Sequence, residues 1–98
     1  MRPVLHGDVS AAARVLLNVP ALDREVLCRR MIAEAEVADR HVQRTGRMHP
    51  LFGNGSLMSA ARKRVLAVEP GFDSRDYCLC FETVLRALIA RASTRVNN

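Results

Sequence analysis

The most distinctive chemical feature of the sequence is a stretch of cationic side chains that contains no acidic residue. No aspartate or glutamate lies between Asp39 and Glu69. This stretch holds six basic residues, Arg40, Arg44, Arg47, Arg62, Lys63 and Arg64, together with His41 and His49. Because such cations bind phosphate oxygens, these six residues are the predicted contact surface for DNA phosphates or an acidic partner. The alternative interpretation is a solvated basic surface without a ligand, since basic clusters are frequent false positives.

A second candidate for anion binding is a short glycine-rich segment, Gly53, Asn54, Gly55 and Ser56. Backbone amides that precede a helix can form a small nest for an anion, and the helix dipole would stabilise the bound charge. The segment lacks the spacing of a P-loop and its Lys-Ser/Thr ending. A loop that needs positive φ and then a helix cap explains the same residues without a ligand. We favour this second interpretation.

The three cysteines, Cys28, Cys78 and Cys80, could supply thiolates to a zinc ion that a histidine completes. Residues two positions apart on a helix point about 200° away from each other, so Cys78 and Cys80 are badly placed to share a metal. An odd number of cysteines also argues against a disulfide scaffold. We therefore predict buried, reduced thiols, no metal and no cofactor.

No arrangement of catalytic side chains is recognisable in the sequence. The three histidines, His6, His41 and His49, lie in terminal or basic segments without a partner at a recognisable spacing. Glu34 and Asp39 fall on the polar side of a predicted helix, where exposure to solvent is expected. Bundles of about 100 residues rarely enclose a substrate cavity without a cofactor. We predict that the protein is not an enzyme.

The elements that must position these side chains are all predicted to be α-helices. Of the 98 residues 49% are hydrophobic and only 4% are aromatic, so aliphatic side chains must fill the core. Apolar residues recur at helical spacing in four segments, and no run alternates as in a strand. The prediction is an all-α, compact bundle of about four helices, one long and three shorter. It forms a single domain over residues 1–98, with frayed termini at about 1–7 and 93–98.

Local signals place the boundaries of these helices. Asp8 or Ser10 is expected to cap the first helix, and Gly46 to end the long helix, which spans roughly Ala21 to Thr45. Ser56 is expected to cap the short third helix, whose inward residues are Leu57, Met58, Ala61 and Val65. The last helix is expected to end at about Ala92, and its cap is Asp73, Ser74 or Asp76. Its predicted buried stripe consists of Tyr77, Phe81, Val84, Leu85 and Leu88. The loop between the long and short helices is expected to bring all six cations to one end of the bundle.

Charge and hydropathy limit the class of partner. A net charge of +5 and a pI near 10.1 favour contact with a polyanion. No stretch approaches the ~20 apolar residues of a membrane-spanning helix. Residues 1–7 lack the charged-then-apolar pattern of a secretory signal. The expectation is a cytoplasmic protein that does not contact a membrane.

Three segments resemble a family of short uncharacterised bacterial proteins. They are Gly7-Asp8-Val9-Ser10-Ala11-Ala12, Arg47-Met48-His49-Pro50 with Gly53-Asn54-Gly55-Ser56-Leu57, and Asp76-Tyr77-Cys78-Leu79-Cys80-Phe81. This resemblance covers almost the whole chain and implies no mechanism, because the family has no known activity. As a short basic helical protein, the chain also resembles the small terminase subunits of phage-derived gene transfer agents. That resemblance implies DNA packaging by an oligomeric adaptor, although the connection before Ser56 is too long for the turn of a helix-turn-helix.

The leading hypothesis is a non-enzymatic adaptor that forms a homo-oligomer through apolar helix faces. It would touch DNA or an acidic partner with the basic segment from Arg40 to Arg64, and a packaging ATPase would be its larger partner protein. Phosphate contacts would make DNA binding weakly sequence-specific and strongly salt-dependent. The alternative is a protein-interaction subunit or regulator that docks an apolar helix stripe on a larger partner and ignores nucleic acid. A small enzyme is the third hypothesis, which a bound cofactor or a deep polar pocket would favour.

Overall fold

The computed structural model describes residues 1–96, which form four α-helices and no strand. In chain order the helices are α1 (His6–Leu16), α2 (Ala21–Thr45), α3 (Leu57–Ala61) and α4 (Arg75–Val96). The predicted all-α bundle of four helices is confirmed. The lengths differ from the prediction, because α4 has 22 residues and α2 has 25, which makes two long and two short helices.

The core lies where α1 packs against the other three helices and where α2 and α4 pack against each other. The largest fully buried side chains come from all four helices: Tyr77, Leu16, Met31, Leu57, Val84, Cys28 and Cys80. Alanines without any exposed surface, including Ala12, Ala35 and Ala60, lie between them. Their small side chains allow the helix axes to approach closely, so a chain with few aromatic residues still forms a filled interior.

Helix α1 begins earlier than predicted because Asp8 acts from inside its first turn. The backbone amide of Leu5 donates to Asp8 Oδ2 at 2.9 Å, and that of Met58 donates to Asp8 Oδ1 at 2.9 Å. One buried carboxylate therefore stabilises the N-terminal turns of α1 and α3 together. Ser10, the other predicted cap, is buried and donates its hydroxyl to Glu69 Oε2 at 2.7 Å.

The N-terminal segment that was predicted to be frayed forms hydrogen bonds with α2 and with the loop before α3. The amino group of Met1 donates to Asp39 Oδ2 at 3.0 Å, and the amide of Arg2 donates to the carbonyl of Gly55 at 2.8 Å. At the other end α4 continues to Val96, past its predicted end at Ala92. The remainder of the predicted frayed segment, residues 97–98, lies outside the described residues.

The bounds of α2 match the prediction at both ends. Gly46 ends the helix in the left-handed conformation with φ of 72°, which a residue without Cβ adopts readily. The cap of α3 is also confirmed, since the amide of Ser59 donates to Ser56 Oγ at 3.0 Å. Of the three candidate caps of α4, Ser74 is the one whose hydroxyl oxygen accepts from a first-turn amide, that of Tyr77 at 3.2 Å.

Two residues of the predicted inward helix stripes are exposed. Val65 is 79% exposed because α3 ends at Ala61, where the amide of Arg64 bonds to the carbonyl of Ala61 in a tighter turn. Leu85 is also exposed, whereas the rest of its stripe on α4 is buried or half-buried. None of the helices within residues 1–96 combines the length and the apolar character that crossing a membrane requires.

Candidate polyanion-binding surface

Three of the predicted phosphate-binding residues lie at the C-terminal end of α2. Arg40 and Arg44 are one helical turn apart on the exposed side of the helix, and Arg47 follows Gly46. All three arginines are exposed, and none forms an ion pair with an acidic side chain in the described part of the chain. We call Arg40, Arg44 and Arg47 the distal group.

The other three predicted residues, Arg62, Lys63 and Arg64, follow the C-terminus of α3, and we call them the proximal group. Arg64 donates to both oxygens of Glu34 at 2.8 Å, which holds this group against the middle of α2. Arg62 and Lys63 are exposed and have no acidic partner among the described residues. Arg30 lies one turn before Glu34 and adds an exposed cation on the same side of α2.

The six cations therefore form two groups and not the single cluster at one end of the bundle that the sequence predicted. Arg40 and Arg44 lie six and ten residues past Glu34 on α2, which corresponds to about 9 and about 15 Å along the helix axis. The prediction was wrong because the start of α3 lies near the end of α2, whereas the cations follow the end of α3. Gly55, just before α3, packs so closely on Asp39 that an added Cβ would lie 2.8 Å from the Asp39 Cα.

The acidic side chains are almost all engaged within the protein. Of ten acidic residues, five form ion pairs with arginines, in the pairs Glu25–Arg29, Glu34–Arg64, Glu36–Arg91, Asp76–Arg24 and Glu82–Arg86. Three more accept hydrogen bonds from an amino group, amides or hydroxyls: Asp39, Asp8 and Glu69. The exposed cations left without an ion pair among the described residues therefore include the distal group, Arg62, Lys63 and Arg30.

Several of these internal contacts shift the pKa of the acid involved. Hydrogen bonds from Arg24 hold the pKa of Asp76 below its ordinary value, and the amino group of Met1 does the same for Asp39. Hydrogen bonds from Ser10 and Tyr77 lower the pKa of Glu69. These carboxylates are therefore charged at neutral pH and stay bound to their partners in the protein.

The loop between α2 and α3 is a closed turn with defined hydrogen bonds. The amide of His49 donates to the carbonyl of Gly53 at 2.8 Å, and the reverse bond measures 3.1 Å. His49 Nδ1 accepts from the amides of Leu51 at 3.0 Å and Phe52 at 3.1 Å. The rings of His49 and Phe52 stack with centroids 4.9 Å apart. The tip of the loop therefore has a fixed shape.

Gly53 joins this turn to α3. Its φ is 87°, and an added Cβ would lie 1.8 Å from Ser59 Oγ. With the turn held in this way, the loop displays two apolar side chains to solvent: Met48 is 63% exposed and Leu51 is 65% exposed. Pro50 between them is also exposed. We call Met48, Pro50 and Leu51 the loop tip.

Three of the four amides of the predicted anion nest donate hydrogen bonds within the protein itself. The amide of Gly53 donates to His49, that of Asn54 to Ser59 Oγ at 3.2 Å, and that of Ser56 to Asn54 Oδ1 at 2.9 Å. The N-terminal turn of α3 already holds the Asp8 carboxylate. Gly53, Asn54, Gly55 and Ser56 thus build a turn and a helix cap.

The cysteines divide into two buried thiols and one exposed thiol. Burial raises the pKa of Cys28 to about 11 and also raises that of Cys80. Cys78 is exposed, contrary to the predicted burial, because it lies on the other side of α4 from Cys80. Within residues 1–96 no three His, Cys, Asp or Glu side chains are grouped as metal ligands would be.

An open groove of about 690 Å³ runs between α2 and α4. Its walls carry three of the internal ion pairs, Glu25–Arg29, Glu36–Arg91 and Glu82–Arg86, above apolar side chains such as Ile32 and Ala87. None of the sequence-predicted site residues lines this groove. The fourth arginine in its lining, Arg24, is bound to Asp76, so each charge in the groove is already paired within the protein.

Four features near the cations were missed or misjudged from the sequence. Glu34 and Asp39 were expected to be solvated, but they bind Arg64 and the Met1 amino group. Arg30 was not among the predicted basic residues of the surface, although it lies only four residues before Glu34 in the sequence. The apolar loop tip was not identified, since the Pro and Gly around it indicated only an irregular connection.

Comparison with known proteins gives one match. A family model described as "Domain of unknown function (DUF7742)" matches residues 2–88. The match spans α1 to α3, both cation groups, the loop tip and most of α4. No curated protein and no solved structure matches the chain.

Proposed function

The chain belongs to the DUF7742 family, whose description assigns no activity, and we propose that this member is a non-enzymatic helical protein that binds DNA phosphates. The distal group and the exposed cations of the proximal group form the binding surface. One observation carries the proposal: eight of the ten acidic side chains are engaged in internal contacts, whereas Arg40, Arg44 and Arg47 have no acidic partner in the described chain.

Electrostatics supports a polyanion over a single small anion. The distal cations project from an exposed helix side and a loop. A recess of about 440 Å³ lies beside Arg40, but it is open to solvent, and Glu36 and Arg91 in its wall already pair with each other. A polyanion can satisfy such dispersed charges one phosphate at a time. Release of its condensed counterions then provides the favourable free energy.

The separation of the two cation groups also suits a duplex. Double-stranded DNA carries one phosphate charge per about 1.7 Å of its axis, so the ~9 Å along α2 from Glu34, which holds the proximal group, to Arg40 spans several phosphates. Contacts of this kind fix the position of the protein on DNA but read no bases. Binding is therefore expected to be weakly sequence-specific.

The experiment that tests the proposal is a salt titration of binding to a labelled DNA duplex, measured by fluorescence anisotropy. The variant Arg40→Gln/Arg44→Gln removes two unpaired cations. The matched control is Arg29→Gln/Arg86→Gln, which removes two cations that pair with Glu25 and Glu82. We expect the first variant alone to weaken binding and to reduce the slope of log K against log salt by about 2, at 0.9 per lost contact.

Two results would contradict the proposal. One is the absence of binding by the unmodified protein even at low salt. The other is an equal loss of affinity in both variants, because that would reflect net charge and not the distal group. Circular dichroism of each variant checks that the helices are intact.

A second candidate function, a protein-docking subunit, is supported by apolar side chains that the bundle leaves uncovered. Leu22 and Val26 lie one turn apart on α2, and Leu22 is 94% exposed, while Leu85 and Ile89 are exposed on α4. Co-purification with one protein after nuclease treatment, without DNA binding at low salt, would favour this function. The adaptor hypothesis also predicts a homo-oligomer, and the molar mass measured by light scattering after size exclusion would test that prediction.

Small-terminase-like DNA packaging is the most specific form of the DNA-binding proposal. It requires that the chain assemble into an oligomer and that a packaging ATPase bind it. Capture of such an ATPase by the immobilised protein, together with a salt-dependent shift of a multimer on DNA, would support this form. A monomer that binds DNA would leave phosphate binding in place and contradict the packaging role.

A further inference from the structure

The loop tip displays apolar side chains at positions where polar residues would be accommodated easily. Met48, Pro50 and Leu51 lie in a solvent-exposed turn, a place where Asn, Asp, Ser and Gly are common. None of the three is buried or packs against the hydrophobic core of the described residues. Their apolar surface therefore contributes little to the stability of the bundle and is available to a partner.

The tip is rigid before any partner arrives. The paired bonds between His49 and Gly53, and the two amides on His49 Nδ1, fix the backbone on both sides of Pro50. Contact between Gly53 and Ser59 anchors the turn to α3. A preorganised loop loses little conformational entropy on binding, so its apolar side chains can be inserted at low cost.

Two exposed cations precede the tip in the chain. Arg47 directly precedes Met48, and Arg44 lies three residues before Arg47. The nearest acidic residue in sequence, Asp39, is bound to the amino group of Met1. An anionic surface drawn to the distal group would therefore meet the apolar tip at the same place.

The size of the tip favours DNA over a lipid bilayer. A single myristoyl chain gives only marginal membrane binding, and the side chains of Met48 and Leu51 together offer less apolar volume than one such chain. A wedge of one or two Leu, Met or Pro side chains is, in contrast, enough to enter a base step from the minor groove. Flanking cations on the phosphates complete this mode of binding.

We propose that the loop tip is an apolar wedge that enters the minor groove and bends the DNA duplex held by the distal group. This inference rests on the proposed function. The wedge would partly unstack one base step, and flexible pyrimidine–purine steps such as TA would accommodate it most easily. The expected ligand is therefore a bendable duplex and not single-stranded nucleic acid.

The test compares the unmodified protein with Leu51→Asn and with Leu22→Asn, a matched change at an exposed leucine far from the tip. A duplex with a central TA step carries fluorophores at both ends, so that energy transfer reports bending and anisotropy reports affinity. We expect Leu51→Asn to lose most of the bend and about fivefold to tenfold in affinity, with an unchanged salt slope. Leu22→Asn should behave as the unmodified protein.

Each other outcome overturns the inference in a distinguishable way. If Leu51→Asn binds and bends the duplex as well as the unmodified protein, the wedge is wrong but phosphate binding stands. If the unmodified protein does not bind the duplex at low salt, both proposals fail. If it binds vesicles of phosphatidylserine and phosphatidylcholine through Leu51 and leaves the duplex straight, the tip inserts into a membrane and not into DNA.

Discussion

The two ends of α2 use charged side chains in opposite ways. At the N-terminal end Arg24 is buried, with Nε donating to the carbonyls of Leu16 at 3.0 Å and Val19 at 3.2 Å. Its two terminal nitrogens donate to the carboxylate of Asp76 at 2.7 and 3.0 Å. At the C-terminal end the exposed Arg44 has no such partner in the described chain.

This difference separates side chains that build the fold from those that are available to a ligand. Arg24 donates to backbone carbonyls at and after the end of α1, which would otherwise lack a partner, and it binds Asp76 at the start of α4. One side chain therefore connects α1, α2 and α4. Arg44 could be replaced without leaving any buried group unpaired. The same residue type therefore carries stability at one end of the helix and, in our proposal, binding at the other.

The largest predicted effect is on stability, and it concerns the turn that follows the C-terminal end of α2. Gly53→Ala places a Cβ against Ser59 Oγ at a positive φ, and we expect a loss of about 3 kcal/mol in the free energy of unfolding. Gly46→Ala is the control, because it has a comparable φ of 72° and no atom within 4 Å of the added Cβ. It should cost about 1 kcal/mol. Urea denaturation measures both, and equal losses would show that the turn yields without strain.

Sequence signals placed α2 correctly because its ends are marked by local chemistry. Pro20 and Gly46 specify backbone angles by themselves, and the Ser56 cap needs only an amide three residues away. The start of α1 was misplaced because Asp8 accepts from the amide of Leu5 as a residue of the first turn and is not itself the cap. That Asp8 also holds the amide of Met58, 50 residues further along the chain, could not be foreseen. A contact of that range leaves no periodic pattern in the sequence.

The candidate site was predictable in its residue types but not in its layout. A stretch of 29 positions without an acid identified the cations. Which of them remain unpaired depends on tertiary contacts, and Arg64 bonds to Glu34 across 30 residues. The exposed loop tip depends in turn on the fit of Gly53 against Ser59, which only the folded backbone reveals.

A smaller effect, on stability alone, is expected for the two arginines that define the comparison. Arg24→Ala leaves the carbonyls of Leu16 and Val19 without this donor, and we expect a loss of about 2 kcal/mol. Arg44→Ala, which breaks no ion pair in the described chain, should change stability by less than about 0.5 kcal/mol. Thermal and urea unfolding at neutral pH measure both variants. A similar loss of stability in the two variants would contradict the proposal that Arg24 stabilises the fold whereas Arg44 does not.

The smallest predicted effect is the pH dependence contributed by Glu69, an exposed carboxylate on the segment that leads to α4. Its Oε2 accepts from Ser10 Oγ at 2.7 Å and from Tyr77 Oη at 3.0 Å. These bonds, the one from Ser10 first, lower its pKa below the ordinary value of about 4.5. Since the charged form is favoured in the folded state, its contribution is complete above pH 4.5 and is lost as the pH falls through the lowered pKa.

Replacing Glu69 by Gln keeps an oxygen that can accept both hydrogen bonds but removes the titration. The stability advantage of the unmodified protein over Glu69→Gln should therefore shrink as the pH falls from 6 to 3, which urea unfolding at each pH measures. Asp39 and Asp76 also have lowered pKa values and remain in both proteins, so their contributions cancel in the difference. Glu25→Gln removes the same charge from an exposed pair with Arg29 and serves as the control. If the two difference curves coincide, the contacts with Ser10 and Tyr77 add nothing beyond a surface charge, and the distinction between engaged and available charges fails at this residue.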